Sequence, residues 1–208
     1  RSFGEDPELV AVLGRTVVRH LQKNGIMAVA KHFPGLGRAD VDPHLLLPKI
    51  DIGLEELETV HFPPFAAVIK EAVSGMMTSH AIYPALDPER PATLSPVVLT
   101  EVLRERMGFG GLTITDDLEM GAIAADWSVA EGAVKSFQAG ADILLICKDQ
   151  GHVRESLDCM QRGLTEGLIT KKRVAQSLKR IKKMKMKFLR HREETSLADV
   201  KKYFRRSA

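Results

Sequence analysis

The side chains best suited to acid–base chemistry are concentrated in residues 31–48, which hold two His, two Asp, one Lys and one Arg among several Gly and Pro. An apolar run at 26–30 predicts a buried strand, so this polar stretch is expected in a loop at a strand end. In that loop Asp42 stands two residues before His44. A carboxylate that binds one imidazole nitrogen fixes the tautomer and raises the pKa of the ring, which suits a general acid or base. A solvated loop His beside an incidental Asp is the alternative.

A second pair of carboxylates, Asp116 and Asp117, follows the apolar residues 112–115, which are predicted as a strand. A carboxylate held at a strand end can act as a nucleophile toward a carbon centre that develops positive charge. Either residue could instead cap the turn that follows the strand, and this alternative weighs more for Asp117.

Further donors at or near predicted strand ends could hold hydroxyls, an amide or carboxylates of a ligand. They are Arg1, Lys31, His32 and His80. No metal site is predicted, because the His and Asp spacing within residues 31–48 matches no common ligand pattern. No cofactor is predicted either, and no Gly-rich dinucleotide turn follows a strand.

Short apolar strands alternate with amphipathic helices along the chain. The predicted strands are 26–30, 75–79, 112–115 and 141–146, and the predicted helices are 6–24, 54–72, 95–107, 129–139, 153–163 and 171–191. This alternation predicts an α/β fold with a parallel sheet. Polar residues at each carboxyl strand end favour a TIM-type barrel over a doubly wound sheet. Because a closed barrel needs eight strands, we interpret the chain as the C-terminal half, about four βα units, of a TIM (β/α)8 barrel. A missing N-terminal half or a second copy would complete it.

The composition excludes a disordered or membrane-spanning chain. It is 44% hydrophobic and 27% charged over 208 residues, and no apolar run approaches the ~20 residues that cross a bilayer. The two cysteines, Cys147 and Cys159, are predicted as buried thiols and fit a reducing compartment, so a cytoplasmic location is expected.

The charge is distributed unevenly. Residues 171–208 hold 15 Lys and Arg against 3 Asp and Glu, a net +12, which leaves −9 for the remainder. The basic helix 171–191 is predicted to dock by its apolar stripe, with its cations in water. A surface for nucleic acid, anionic lipid or anionic glycan is the alternative, but no interleaved aromatics before Tyr203 support base stacking, and no nucleic acid partner is predicted. The expected domains are 1–191, a partial catalytic barrel, and 192–208, a polar basic tail.

Five motifs occur in order along the chain. They are Arg1-Ser2-Phe3-Gly4-x-Asp6-Pro7, Lys31-His32-Phe33-Pro34-Gly35-x-Gly37, Asp42-x-His44-x3-Pro48, Met77-Thr78-x-His80-x-x-Tyr83-Pro84 and Thr115-Asp116-Asp117-Leu118-x-Met120. In order and spacing these motifs resemble the family 3 glycoside hydrolases, specifically the β-N-acetylglucosaminidase branch that acts on peptidoglycan fragments.

The resemblance implies a retaining, exo-acting β-N-acetylglucosaminidase that releases N-acetylglucosamine from peptidoglycan-derived or related glycans. Asp116 would be the nucleophile of a covalent glycosyl-enzyme, and His44 the acid/base, oriented by Asp42. The substrate-binding residues implied are Arg1, Lys31, His32, His80 and Met120.

Two positions depart from the family pattern. Leu36 stands where the family often has His, and Pro43 replaces the Ser of the usual Asp-Ser-His. Two other functions remain open at this point. One is an N-acetylglucosaminide phosphorylase, since a neutral imidazole repels phosphate less than a carboxylate would. The other is a non-catalytic glycan-binding half-barrel.

Overall fold

The computed structural model describes residues 2–189 and 196–205, so Arg1 lies outside the described residues. In chain order the strands are β1 (Val29–Phe33), β2 (Gly75–Thr78), β3 (Ile82–Tyr83), β4 (Asp87–Pro91), β5 (Leu112–Asp117) and β6 (Ile143–Leu145). The helices are α1 (Pro7–Lys23), α2 (Leu54–Glu56), α3 (Phe62–Lys70), α4 (Gly121–Ala124), α5 (Val129–Ala139), α6 (Gln150–Thr165), α7 (Lys171–Leu189) and α8 (Leu197–Arg205). Two π-helical segments, Leu57–His61 and Val97–Arg106, and a 3₁₀ turn, Ala92–Leu94, complete the set.

Four strands form a parallel sheet in the order β1-β2-β5-β6, and β3 and β4 form a separate antiparallel pair. The neighbours in the parallel sheet succeed one another along the chain, with helical segments between them. The predicted α/β fold with a parallel sheet is therefore confirmed. Within the described residues the sheet does not close, and β1 and β6 are its edges.

Local sequence signals set most helix ends. The Asp6 side chain accepts a hydrogen bond from the backbone N–H of Glu8 at 2.9 Å, and Pro7 occupies the first turn of α1. Ser128 and Glu131 form a reciprocal capping box at the start of α5. That helix stops at Gly140, whose φ of +136° is reserved for glycine.

The strand β1 differs from its prediction. It begins at Val29 rather than at residue 26, and it continues through Lys31 and His32, which were expected in the loop. It is not a fully buried strand, because Val29 is 42% exposed and Lys31 is also exposed. The physical reason is its edge position: a strand with one sheet neighbour leaves apolar side chains uncovered.

The main core lies between the sheet and the helices that precede β2 and β5. Phe33, at the end of β1, is fully buried and packs edge-on against Phe65 with 5.2 Å between ring centroids. Its ring also stacks on Phe62 at 6.1 Å. These contacts fix the carboxyl end of β1 against α3, and they do so one residue after His32.

The opposite, amino-terminal end of the sheet is held by a buried ionic cluster around Asp142, whose side chain is fully buried. Its carboxylate accepts hydrogen bonds from Arg104 at 2.6 Å, Arg180 at 3.1 Å and the Ser177 hydroxyl at 2.6 Å. Burial lowers the pKa of Arg104 to about 10, although the Asp142 charge opposes that shift.

Asp142→Asn is expected to lower the free energy of unfolding by about 3–5 kcal/mol, because it leaves Arg104 and Arg180 without a counter-charge in a buried place. Urea denaturation measures the loss. The exposed Asp158→Asn is the matched control and is expected to change stability by less than about 0.5 kcal/mol. A loss of similar size in both variants would contradict the role of the cluster.

The basic C-terminal region divides into two helices. On α7, Met184 and Phe188 are buried against Leu112 of β5, so the helix docks by an apolar stripe as predicted. Residues 197–205, predicted as part of a polar tail, form α8, on which Leu197 and Phe204 are exposed. The rest of the predicted tail, 192–195 and 206–208, lies outside the described residues. No helix among the described residues is long and apolar enough to cross a membrane.

Candidate active site

The sheet brings His32 and Asp116 together at its carboxyl edge. His32 lies in β1 and Asp116 in β5, on either side of β2. The Nε2 atom of His32 is 3.3 Å from Oδ2 of Asp116. Parallel strands end at the same edge, so residues far apart in sequence can meet there. Lys31, the neighbour of His32, is exposed at this edge.

The Asp116 carboxylate is held in its ionised form. Burial alone would raise its pKa, but the hydrogen bond with His32 and the backbone N–H of Asp117, 2.9 Å from Oδ1, lower the pKa to about 2. The side chain is 25% exposed, which leaves it accessible to a ligand. An ionised, accessible carboxylate meets the requirement for a nucleophile.

His80 lies behind Asp116 and is fully buried. Its Nε2 atom is 2.9 Å from the carbonyl oxygen of Asp117, which can only accept, so Nε2 carries the proton. Burial lowers the pKa of His80 and favours the neutral ring. The Nδ1 atom lies 2.8 Å from the Thr93 hydroxyl, which also donates to the carbonyl oxygen of Ser79 at 2.9 Å. Both ring nitrogens are therefore occupied by protein groups, and His80 supports the backbone that follows Asp116.

Asp42 and His44 form the pair that their spacing predicts. Oδ1 of Asp42 is 2.7 Å from Nδ1 of His44 and 2.9 Å from the His44 backbone nitrogen. The backbone hydrogen bond, followed by that from the ring, lowers the pKa of Asp42. Because the ionised carboxylate accepts from Nδ1–H, the neutral ring has its lone pair on Nε2. Pro43 between them does not prevent the contact.

The start of α4 connects this loop to the strand that carries Asp116. The backbone N–H of Gly121 donates to the carbonyl of His44 at 3.1 Å, and that of Ala122 donates to the carbonyl of Pro43 at 3.2 Å. Met120, just before them, is buried and precedes the helix as its N-cap residue. Asp116 and the dyad loop are thus attached to one short segment.

Asp117 and Glu119 bind the turn between β6 and α6, a role that sequence reasoning missed for Glu119. Oδ1 of Asp117 accepts from the backbone N–H of Glu119 at 3.2 Å, which is the turn-capping role considered above. The Glu119 carboxylate accepts from the backbone N–H groups of Lys148 at 2.6 Å and Asp149 at 3.0 Å, and from His152 Nδ1 at 2.7 Å. An acidic residue two positions after the Asp-Asp pair was the available signal.

Cys147 lies in this turn and is exposed, so the prediction of a buried thiol there was wrong. The reason is that β6 ends at Leu145, two residues earlier, and Cys147 has already left the sheet. Cys159, on α6, is partly buried. No group of three or more His, Cys, Asp or Glu residues in the described ranges is placed to hold a metal ion.

The hydrogen bond to Glu119 raises the pKa of His152, and the same bond lowers the pKa of Glu119. The pair of protonated His152 and ionised Glu119 therefore stabilises the fold between the unfolded pKa of Glu, about 4.3, and that of His, about 6.5. This contribution is lost as pH rises through the folded pKa of His152 or falls through the folded pKa of Glu119. We expect NMR titration to place the pKa of His152 above 6.5 in the native chain and near 6.5 in Glu119→Gln. The exposed Glu155→Gln is the control, and an equal downward shift in that variant would contradict the assignment.

The fold and this edge define an α/β protein with acid–base groups at the carboxyl end of a parallel sheet. Residues 1–184 match the family model described as glycosyl hydrolase family 3 N terminal domain. The chain belongs to glycosyl hydrolase family 3.

Relatives with known names and solved structures support the same assignment. The chain is 34% identical over 206 residues to β-hexosaminidase A of Pseudoalteromonas piscicida, an alignment that covers 90% of this chain and 34% of that protein. A family 3 β-N-acetylglucosaminidase from Paenibacillus sp. str. FPU-7 superposes with a TM-score of 0.91 at 36% identity, covering 94% of this chain and 38% of that one. The β-glucoside phosphorylase BglX superposes with a TM-score of 0.86 at 28% identity, covering 93% and 36%. The chain therefore spans little more than a third of the length of these relatives.

Proposed function

We propose that this chain carries the catalytic groups of a retaining, exo-acting β-N-acetylglucosaminidase. The observation that carries the proposal is the ionised Asp116 carboxylate beside His32, attached to the same segment that holds the His44–Asp42 pair. The β-hexosaminidase and β-N-acetylglucosaminidase names of the relatives support the substrate class. Peptidoglycan-derived glycans, as in bacterial cell-wall recycling, are the proposed source of N-acetylglucosamine.

In the first step Asp116 attacks the anomeric carbon and forms a glycosyl ester. The bond to the leaving-group oxygen breaks, and the protonated His44 ring gives its Nε2 proton to that oxygen. The Asp42 carboxylate, 2.7 Å from Nδ1, stabilises the charged ring before this transfer. The leaving alcohol departs uncharged.

In the second step water attacks the same carbon from the side that the leaving group vacated. The neutral His44 ring takes a proton from this water at Nε2, and the ester bond to Asp116 breaks. The sugar leaves with retained configuration, because two inversions have occurred. Asp116 is again a carboxylate and His44 is again protonated, so the cycle closes.

The substrate-binding residues differ in what they offer. His32 and the exposed Lys31 are proposed to hold hydroxyls and the acetamide of the sugar, together with Arg1. His80 is proposed as a positioning residue instead of a ligand donor, since both of its ring nitrogens bind protein groups. Met120 would line the site with the small part of its side chain that remains exposed.

The chain is proposed to be the second half of a TIM barrel, within a domain spanning 1–191. The sequential strand order and the exposed apolar edge at Ile26, Met27 and Val29 support this, since a further parallel strand would cover that edge. An N-terminal half is the proposed occupant, because the relatives are more than twice as long. Light scattering tests the alternative, a second copy, which would give a dimer.

Trapping the covalent intermediate tests the proposed function. A 5-fluoro N-acetylglucosaminyl fluoride reacts with the nucleophile but is hydrolysed slowly, because the fluorine destabilises positive charge at the sugar. We expect mass spectrometry of the full-length protein to find one added sugar, on the peptide that contains Asp116. A label on another carboxylate would overturn the assignment.

A phosphorylase is the second candidate. Two observations favour a phosphorylase. The chain superposes on the β-glucoside phosphorylase BglX. An imidazole acid/base also repels a phosphate dianion less than a carboxylate would. Turnover with and without inorganic phosphate separates the two reactions. Appearance of N-acetylglucosamine 1-phosphate would identify the phosphorylase, and free N-acetylglucosamine in both conditions is expected.

A further inference from the structure

Among the described residues, the segment 40–47, which carries Asp42 and His44, is hydrogen-bonded to other segments at the start of α4. The backbone N–H groups of Gly121 and Ala122 donate to loop carbonyls at 3.1 and 3.2 Å. Among residues 2–189 and 196–205, these are the hydrogen bonds that connect 40–47 to the rest of the fold. The position of the dyad therefore depends on this contact.

Gly121 allows the loop to come close enough for these bonds. A Cβ atom at position 121 would overlap the carbonyl oxygen of Leu45 and would lie 3.0 Å from the carbonyl oxygen of His44. Both are backbone atoms, so no change of rotamer relieves the overlap. The loop would have to move away from any larger residue at this position.

Other reasons for a glycine are absent at this position. The φ angle of Gly121 lies outside the left-handed region, so its backbone suits any residue. It is also the first residue of α4, where alanine is preferred to glycine by helix propensity. In the absence of the loop contact, Gly121→Ala would be neutral or slightly stabilising.

The internal structure of the loop does not need this anchor. The backbone N–H groups of Leu45 and Leu46 donate to the carbonyl of Asp42 at 3.0 Å each, and the Asp42 side chain holds His44. Release of the loop would therefore keep the pair intact and change only where the pair lies relative to Asp116.

We propose that Gly121 is the positioning residue of the acid/base dyad. By lacking a side chain, it seats the loop on the segment that begins with Asp116, so one stretch of backbone holds both the nucleophile and the acid. This proposal rests on the proposed function for its catalytic consequence, but the docking itself is a property of the fold.

Two substitutions in the full-length protein test the proposal, Gly121→Ala and Gly121→Val. Gly110→Ala is the matched control, because a Cβ there meets nothing within 4 Å. We measure kcat/KM, which reports the first step, for N-acetylglucosaminides with a poor alkyl and a good dinitrophenyl leaving group. A well-placed general acid contributes about 10²–10⁴-fold, so we expect a loss of about tenfold or more for the poor leaving group. The loss should be larger in Gly121→Val and slight for the good leaving group.

Limited trypsin digestion provides a readout apart from activity. Arg38 precedes the dyad in the same loop and is exposed, with its guanidinium 2.9 Å from Glu56. We expect faster cleavage after Arg38 in both Gly121 variants and no change in Gly110→Ala.

Unchanged cleavage with unchanged kcat/KM for the poor leaving group would overturn the proposal. Equal losses for both leaving groups would overturn it as well, because they would indicate damage to the nucleophile or the fold. Failure of the proposed function is a separate result. It would be seen as turnover that survives Asp116→Ala. Trypsin cleavage after Arg38 reports only whether the loop is docked, so it tests the role of Gly121 independently of the catalytic assignment.

Discussion

Asp116→Ala in the full-length protein is expected to lower kcat on an aryl N-acetylglucosaminide by roughly four orders of magnitude or more. The substitution removes the group that forms the glycosyl ester, and no other described carboxylate lies beside His32 in the same way. KM is expected to change far less than kcat, because the sugar is proposed to be held mainly by other groups. Initial rates at saturating substrate measure the effect.

Two controls separate chemistry from folding in this experiment. Asp40→Ala removes an exposed carboxylate from the loop and is expected to leave kcat within about twofold. Asp116→Asn keeps the size of the side chain and should unfold at nearly the native temperature while remaining inactive. Turnover near the native rate in Asp116→Ala would refute the assignment of the nucleophile.

His44→Ala is expected to lower kcat/KM more for substrates with poor leaving groups than for substrates with good ones. For an alkyl leaving group, loss of the proton donor should lower kcat/KM by about 10²–10⁴-fold. For a dinitrophenyl leaving group, which needs little protonation, the effect on kcat/KM should be below about tenfold. Deglycosylation also loses its base, so kcat for the good leaving group is expected to fall and the glycosyl-enzyme to accumulate.

Adding azide to His44→Ala tests the role of His44 as a base, because azide attacks the glycosyl-enzyme without needing one. It should restore kcat for the dinitrophenyl substrate and release a β-glycosyl azide. His20→Ala, on the exposed surface of α1, is the matched control and should leave both substrates unaffected. Equal loss for good and poor leaving groups, with no effect of azide, would argue against an acid/base role for His44.

Helix ends and the alternation of elements were accessible to sequence reasoning, because short-range chemistry determines them. Asp6 and Pro7 start α1, and Ser128 with Glu131 starts α5, each by contacts within three residues. The apolar periodicity of α7 likewise predicts the stripe that packs on β5. The helix α8 was not predicted, because residues 192–208 were interpreted as a polar basic tail.

Burial was predicted less well, because it depends on neighbours that one segment does not specify. The apolar residues 26–30 suit an interior strand, yet β1 lies at a sheet edge and leaves Ile26 and Val29 exposed. Cys147 is exposed for a related reason, since β6 ends before it. Apolar sequence indicates what a segment prefers, and the sheet order decides whether that preference is met.

The sequence alone was enough to predict the alternation that makes a parallel sheet and to suggest the Asp42–His44 pair, because both depend on short spacings, and five motifs along the chain carried the resemblance to the family. Only the tertiary structure placed His32 beside Asp116, enclosed both nitrogens of His80 and set Gly121 beneath the loop. Those contacts join residues that lie far apart in the sequence. The order of the strands and the close approach of two backbone segments bring these residues together. Neither can be predicted from one segment of the sequence.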